Sequence, residues 1–474
     1  MRGLVAALIA AVLATSTVVP ASASTITPMR GINLAGAEFT SAGLPLFDTP
    51  ESFAFLASRG YTVVRLPFLW ESVQPVLSGP LAAAAMTPLK KAVTDATAAG
   101  LAVILDVHNY AVYRGVAYGA AGSFTEHDFT DLWTRLSSAF RGTIAGYGLM
   151  NEPRNLPAVD GISGNIRWQH AQQAALDAIR ANGDTTCVLV SGYTAATMGG
   201  WLNATNGQPV PYITDPANNF RWEAHHYWDA GSTGKYTSSY ADAVAAGFGS
   251  SQGDAARTRT WFELNQWLEW LKKYNQKGYI GEFGWPSVEN GASEADATAW
   301  NSLAELYLNR IAAESPDLVW TTAWATGSRW SSGYRLQFYS SSKGSLASGL
   351  SNAAVLESAN PAPTPTEPEV VAPPVAAEPE VTASVAAVAS AAPVVPVVRT
   401  VKVSVTHGKR PVLTVRVSPV AAGTVVVTYR GKTVGKAKLV KGRAKIVLRK
   451  LTKGSRVVTV RVGGLSSKVR VRVK

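Results

Sequence analysis

Cysteine is all but missing from this sequence: among 474 residues only Cys187 occurs, so no intrachain disulfide can form and stability must come from packing. Cys187 sits in the apolar run Cys187-Val188-Leu189-Val190 and is expected as a buried thiol. Nothing near it in sequence would lower its pKa as a nucleophilic cysteine requires. Acidic residues are missing from the C-terminal part. Between Arg399 and Lys474 there are 21 Lys and Arg and not one Asp or Glu, which leaves the preceding chain with 23 basic residues against all 32 acidic ones. The chain therefore has an acidic body and a strongly basic tail. Aromatic residues also stop early: all 14 tryptophans lie between residues 25 and 357, and Tyr429 is the only aromatic residue after Arg399. That argues against an aromatic platform for sugars or bases in the tail, and no nucleic-acid partner is expected. The histidines lack HExxH-type or paired spacing, so neither a metal nor another cofactor is expected. After the N-terminus no uniformly apolar stretch reaches about 18 residues, so no membrane span is expected in the mature protein.

At the N-terminus, Arg2, an apolar run from Leu4 to Ala14 and the small-residue site Ala21-Ser22-Ala23 read as a secretory signal peptide over residues 1–23. A secreted, extracellular protein follows from that. Residues 24–357 alternate apolar, strand-like runs with helix-like segments. The runs are at 31–36, 61–68, 101–109, 144–151, 187–192, 221–228, 278–284 and 318–325, and the helical segments include Pro88–Ala99, Phe129–Arg141 and Ile166–Ala181. Eight strands buried on both faces and separated by helices predict an α/β fold, a (β/α)8 TIM barrel. An open doubly wound sheet competes, but no glycine-rich phosphate fingerprint follows the first strand. Residues 358–398 form a Pro/Ala/Val-rich linker, with nine prolines between Pro361 and Pro396. Residues 399–474 alternate strictly, as in VKVSV, LTVRV and VRVRV. About seven short strands broken by turn signals predict a small antiparallel sandwich. The pattern resembles bacterial immunoglobulin-like modules.

In a (β/α)8 barrel the site lies at the C-terminal ends of the strands. Polar residues that end apolar runs are therefore the candidates: Arg65, the Asp106-Val107-His108 step, Asn151-Glu152-Pro153, His225-His226-Tyr227, Gly281-Glu282-Phe283 and Trp324. Glu152 and Glu282 end the fourth and seventh strands. Acetal hydrolysis needs a proton for the leaving oxygen and a carboxylate at the oxocarbenium-like centre, and a carboxyl pair supplies both. A neighbouring anionic Glu282 is expected to raise the pKa of Glu152 so that it holds its proton.

Taken in order, GINLAGAEF, VVRLPFLWESVQP, ILDVHNY, YGLMNEP, HHYWD and GEFGWPS resemble the motifs of glycoside hydrolase family 5, its endoglucanase branch closely, over residues 29 to about 330. The resemblance implies Glu152 as acid/base and Glu282 as nucleophile of a retaining reaction. It places Asn151 on the sugar 2-hydroxyl, Arg65 and Tyr227 beside the nucleophile, His225 beside the acid/base, and His108 and Trp324 on the substrate. His226 should point away by strand alternation. Asp106 reads as structural, and Trp70, Trp201, Trp228, Trp285 and Trp330 read equally as sugar platforms or packing. Asn203-Ala204-Thr205 fits a glycosylation acceptor, a pattern short enough to arise by chance. The expected activity is an endo-β-1,4-glucanase acting on β-glucan. Other β-glycans (mannan, xyloglucan, β-1,3-glucan) and a non-catalytic carbohydrate-binding protein are the alternatives. For the basic tail, an anionic cell-wall or polysaccharide surface is the expected partner, against a solvated spacer.

Overall fold

A computed structural model of the chain describes residues 29–39, 46–203, 207–249, 258–328, 330 and 333–359, together with 400–406, 412–418, 423–429, 432–439, 443–448, 454–462 and 465–473. The expected signal peptide, nearly all of the expected linker and Thr205 of the glycosylation pattern lie outside the described residues. The chain divides into two compact units near residue 369.

In the first unit, eight parallel strands close into a barrel: β1 (Arg30–Leu34), β2 (Val63–Phe68), β3 (Ala102–Val107), β4 (Gly146–Gly148), β5 (Cys187–Ser191), β6 (Phe220–His225), β7 (Gly278–Glu282) and β8 (Val319–Thr326). Each pairs with its neighbours in sequence order, and β1 closes on β8. Every residue of β2, β5 and β7 is buried, because side chains fill the barrel interior and helices cover its outside. This is why these strands read as continuous apolar runs rather than alternating ones. At the base of the interior, Cys187 packs with Val63, Ile104, Leu189 and Tyr279. Burial pushes its thiol up to about 11, as expected for an inert cysteine.

The main helices are α1 (Pro50–Ser58), α2 (Ala83–Ala98), α3 (Glu126–Phe140), α4 (Gly164–Ala181), α5 (Arg259–Lys273) and α6 (Glu294–Ala312). Five of them open on a Thr or Ser whose side chain accepts a first-turn N–H: Thr49, Thr125, Ser163, Thr258 and Ser293. Such caps fix where each helix leaves its loop. The exception is α2, which has no side-chain cap and holds Pro88 in its second turn. Its expected start at Pro88 is five residues late. The alanines before Pro88 have the highest helix propensity, and Ala85 and Met86 bury against the core with Leu89.

The second unit has seven antiparallel strands: β9 (Thr400–Thr406), β10 (Val412–Ser418), β11 (Gly423–Tyr429), β12 (Lys432–Leu439), β13 (Arg443–Val447), β14 (Gly454–Val462) and β15 (Leu465–Val473). They form two sheets, ordered β9-β10-β13 and β12-β11-β14-β15. Leu413, Val425, Val427, Ile446, Val458, Val460 and Val471 form its core, while Lys432, Lys436, Lys438 and Lys445 are exposed. That split is the alternation read from the sequence.

Candidate active site

Parallel strands in register deliver their C-terminal residues to one rim. Glu282 is the last residue of β7. Glu152 follows β4 by four residues, in a left-handed conformation (φ 43°) that few non-glycine residues adopt. An oxygen of each carboxylate and a ring nitrogen of His225 lie within 4.8 Å of one another. Both glutamates line a cavity of about 580 Å3 with His108, Asn151, Tyr227 and Trp324.

Glu282 is held on both oxygens. Arg65 Nη1 donates to Oε1 at 3.0 Å, and the Tyr227 hydroxyl donates to Oε2 at 2.7 Å. Arg65 is wholly buried and pairs in addition with Asp106 at 3.0 Å and Glu223 at 3.1 Å. It also donates to the side-chain oxygens of Asn33 and Asn151, both at 2.9 Å. Burial alone would lower the pKa of the guanidinium, but the charges of Asp106, Glu223 and Glu282 hold it well above its ordinary value. A buried cation is tolerated here because carboxylates surround it. Burial and the charge of Glu282 push the Tyr227 phenol far up, so it stays a neutral donor and fixes the rotamer of Glu282.

Glu152 accepts from His225 Nδ1 at 3.0 Å and from Arg154 Nη1 at 2.6 Å. The other nitrogen of His225 faces Glu223 at 3.2 Å, and Glu282 lies 3.5 Å from Nδ1. Burial would lower the pKa of His225. The charge of Glu282 and the hydrogen bonds to Glu152 and Glu223 outweigh it and raise the value to about 10. Glu152 moves the other way: burial pushes it up, but His225, Arg154 and His108 together bring it below the ordinary carboxylate value. The expectation that Glu282 keeps Glu152 protonated is thereby corrected. A cationic histidine stands between the two carboxylates and offsets their repulsion, so the proton of the ligand-free site resides on His225.

His225 Nδ1 faces Glu152 and its Nε2 faces Glu223, and with Glu282 the three side chains gather donors within 4.8 Å of one another.

The remaining candidates fall on the same rim. His108 is oriented by Asp106 through Nδ1 at 2.7 Å and stacks on Trp324 with ring centroids 5.2 Å apart. Asp106 therefore positions both His108 and Arg65. Trp324 Nε1 donates to the Tyr334 hydroxyl at 2.8 Å, and Tyr334 stacks on Trp330 at 3.8 Å. Trp330 meets Phe39, which is 57% exposed and lines the cavity. Of the five ambiguous tryptophans, Trp330 joins this aromatic wall, whereas Trp70, Trp201, Trp228 and Trp285 are buried in the core. As strand alternation required, His226 turns outward, to Glu263 at 3.2 Å and Tyr307 at 3.1 Å. Asn33, Phe39, Tyr110, Arg154, Glu223 and Tyr334 escaped the sequence reading. Glu223 had a usable signal, since it lies two residues before His225 and so shares its face of β6.

Residues 23–327 match the family described as Cellulase (glycosyl hydrolase family 5). The manganese dependent endoglucanase Eg5A of Phanerodontia chrysosporium is 28% identical over 228 residues, which cover 46% of this chain and 57% of that protein. Endo-β-1,4-glucanase B of Emericella nidulans is 27% identical over 315 residues, covering 63% of this chain and 83% of that protein. Among solved structures, Pseudomonas stutzeri endoglucanase Cel5A in complex with cellobiose superposes with a TM-score of 0.55 at 28% identity, covering 70% of this chain and 92% of that one. With a family match over more than half its length and a closed eight-stranded barrel carrying paired glutamates at its rim, the chain is a glycoside hydrolase and belongs to glycosyl hydrolase family 5.

Proposed function

We propose that the protein is an endo-β-1,4-glucanase that cleaves internal bonds of β-glucan chains with retention, Glu282 acting as nucleophile and Glu152 as acid/base. One observation carries the reading. Oxygens of the two carboxylates lie within 4.8 Å of each other, close to the ~5–5.5 Å separation of retaining glycosidases and short of the ~6.5–9.5 Å that leaves room for an inverting water. The named relatives that are endoglucanases support the substrate class.

In this reading Arg65 and Tyr227 hold Glu282 for attack on the anomeric carbon. As the C1–O bond breaks, Glu152 passes to the leaving oxygen a proton supplied by His225 across their 3.0 Å hydrogen bond, which leaves Glu152 a carboxylate and His225 neutral. Water then enters, Glu152 takes its proton, and the glycosyl ester on Glu282 opens. A further part of the proposal is export, which rests on the N-terminal sequence. The basic C-terminal unit is read as an immunoglobulin-like module that meets an anionic surface.

Glu282→Ala tests the nucleophile. The variant is expected to lose turnover on cello-oligosaccharides by about 10^5-fold or more, by analogy with the loss of other covalent nucleophiles. Azide should restore part of it with product of inverted configuration. Hydrolysis near the wild-type rate would remove Glu282 from the role.

A further inference from the structure

A second cavity, of about 500 Å3, adjoins the first on the side of the loops after β1, β2 and β3. Phe39, His108, Tyr110 and Arg154 line both cavities. Arg154 thus stands at their junction, and any polymer lying through both must pass it. Its guanidinium is engaged twice. It reaches Glu152 Oε2 at 2.6 Å and lies over the Tyr110 ring at 4.4 Å. The Arg154 side chain is nevertheless 40% exposed, so the clamp can open without unpacking the core.

The clamp and catalysis conflict. A general acid must present a free carboxyl oxygen to the glycosidic oxygen at hydrogen-bond distance. One oxygen of Glu152 is taken by His225 and the other by Arg154. His225 is fully buried and fixed on its far side by Glu223, so it cannot withdraw. Arg154 is the partner that can.

We infer that Arg154 is a positioning residue that clamps Glu152 in the ligand-free site and is displaced from it when a sugar chain fills the cleft, which ties the proton affinity of the acid/base to substrate occupancy. This rests on the assignment of Glu152 as acid/base. Around Glu152 the other groups are His225 at the end of β6 and Tyr227 after it, Glu282 from β7, and His108 and Tyr110 after β3. None of them leaves when Arg154 does. Losing the cation therefore raises the affinity of Glu152 for its proton.

The test uses the pH dependence of two parameters for the full chain on a cello-oligosaccharide: kcat/KM, which reports the free enzyme, and kcat, which reports the complex. Arg154→Ala is expected to move the alkaline limb of kcat/KM, which follows the proton that Glu152 and His225 share, upward by about one pH unit, the low end for a lost charge partner. The alkaline limb of kcat should stay where it is in the wild type. Arg154→Lys, which keeps the charge, should hold the kcat/KM limb near its wild-type position and so control for folding and packing. If Arg154→Ala leaves both limbs unmoved, Arg154 does not clamp Glu152; if both move together, the clamp is not released by substrate. Either result overturns the inference and leaves the functional reading standing. If the wild-type chain hydrolyses no such substrate, the functional reading fails and this inference fails with it.

Discussion

At the scale of residues, the site is a chain of ion pairs in which each charge is held by its neighbours. Arg65 meets three carboxylates, and His225 bridges Glu152, Glu223 and Glu282. The two glutamates were legible because each ends an apolar strand in a distinctive tripeptide. Arg154 was not, because its role depends on a side-chain direction across a loop rather than on spacing. The proton assignment also needed coordinates: from sequence only the repulsion of two carboxylates is visible, not the cation between them. Packing here is tight enough that one methyl group should matter. A Cβ on Gly281 would stand 2.2 Å from Glu223 Oε1 and 2.9 Å from His225 Nε2, closer than contact allows. Gly281→Ala should therefore cost about 10^2-fold in kcat, the scale of a misplaced catalytic group, together with about 1–3 kcal/mol of stability, the usual cost of overpacking. Activity within twofold of wild type would show that the Glu223–His225 contact is not needed.

At the scale of elements, all eight barrel strands overlap the runs expected from sequence, with β1, β6 and β8 each reaching one residue beyond theirs, because strands buried on both faces leave unbroken apolar segments. Their lengths were less legible. The fourth run was expected over 144–151; its strand is Gly146–Gly148, and the N–H groups of Leu149 and Asn151 still bond Leu189 and Val107 on the neighbouring strands before the chain turns at Glu152. Helix starts were less legible: expected at Phe129 and Ile166, α3 and α4 begin three and two residues earlier, after the caps Thr125 and Ser163, and α2 begins five residues before Pro88, where Ala85 and Met86 are buried. The tryptophans show the same limit. Composition gives 14 of them, but only the folded barrel separates Trp324 and Trp330, on the cleft, from those in the core.

At the scale of the molecule, an acidic catalytic unit is joined to a basic one of a different fold class. Every residue assigned to the site lies in the first unit, and Arg30, at the start of β1, donates to the carbonyl of Ala359, so the barrel's own contacts reach at least to that residue. Removing residues 360–474 should leave hydrolysis of a soluble glucan within about twofold, as expected for units joined by a linker. The same deletion should abolish retention on an anionic polymer matrix at low salt, since exposed charges are screened over about 10 Å at 0.1 M; retention unchanged by the deletion would contradict the role proposed for the tail. The central claim is double displacement by the Glu152–Glu282 pair on a β-glucan, and the anomeric form of the first product tests it most directly. Proton NMR during the first minutes of cello-oligosaccharide hydrolysis should show the β-anomer of the new reducing end appearing first, with the α-anomer rising later by mutarotation. Early appearance of the α-anomer would contradict the account.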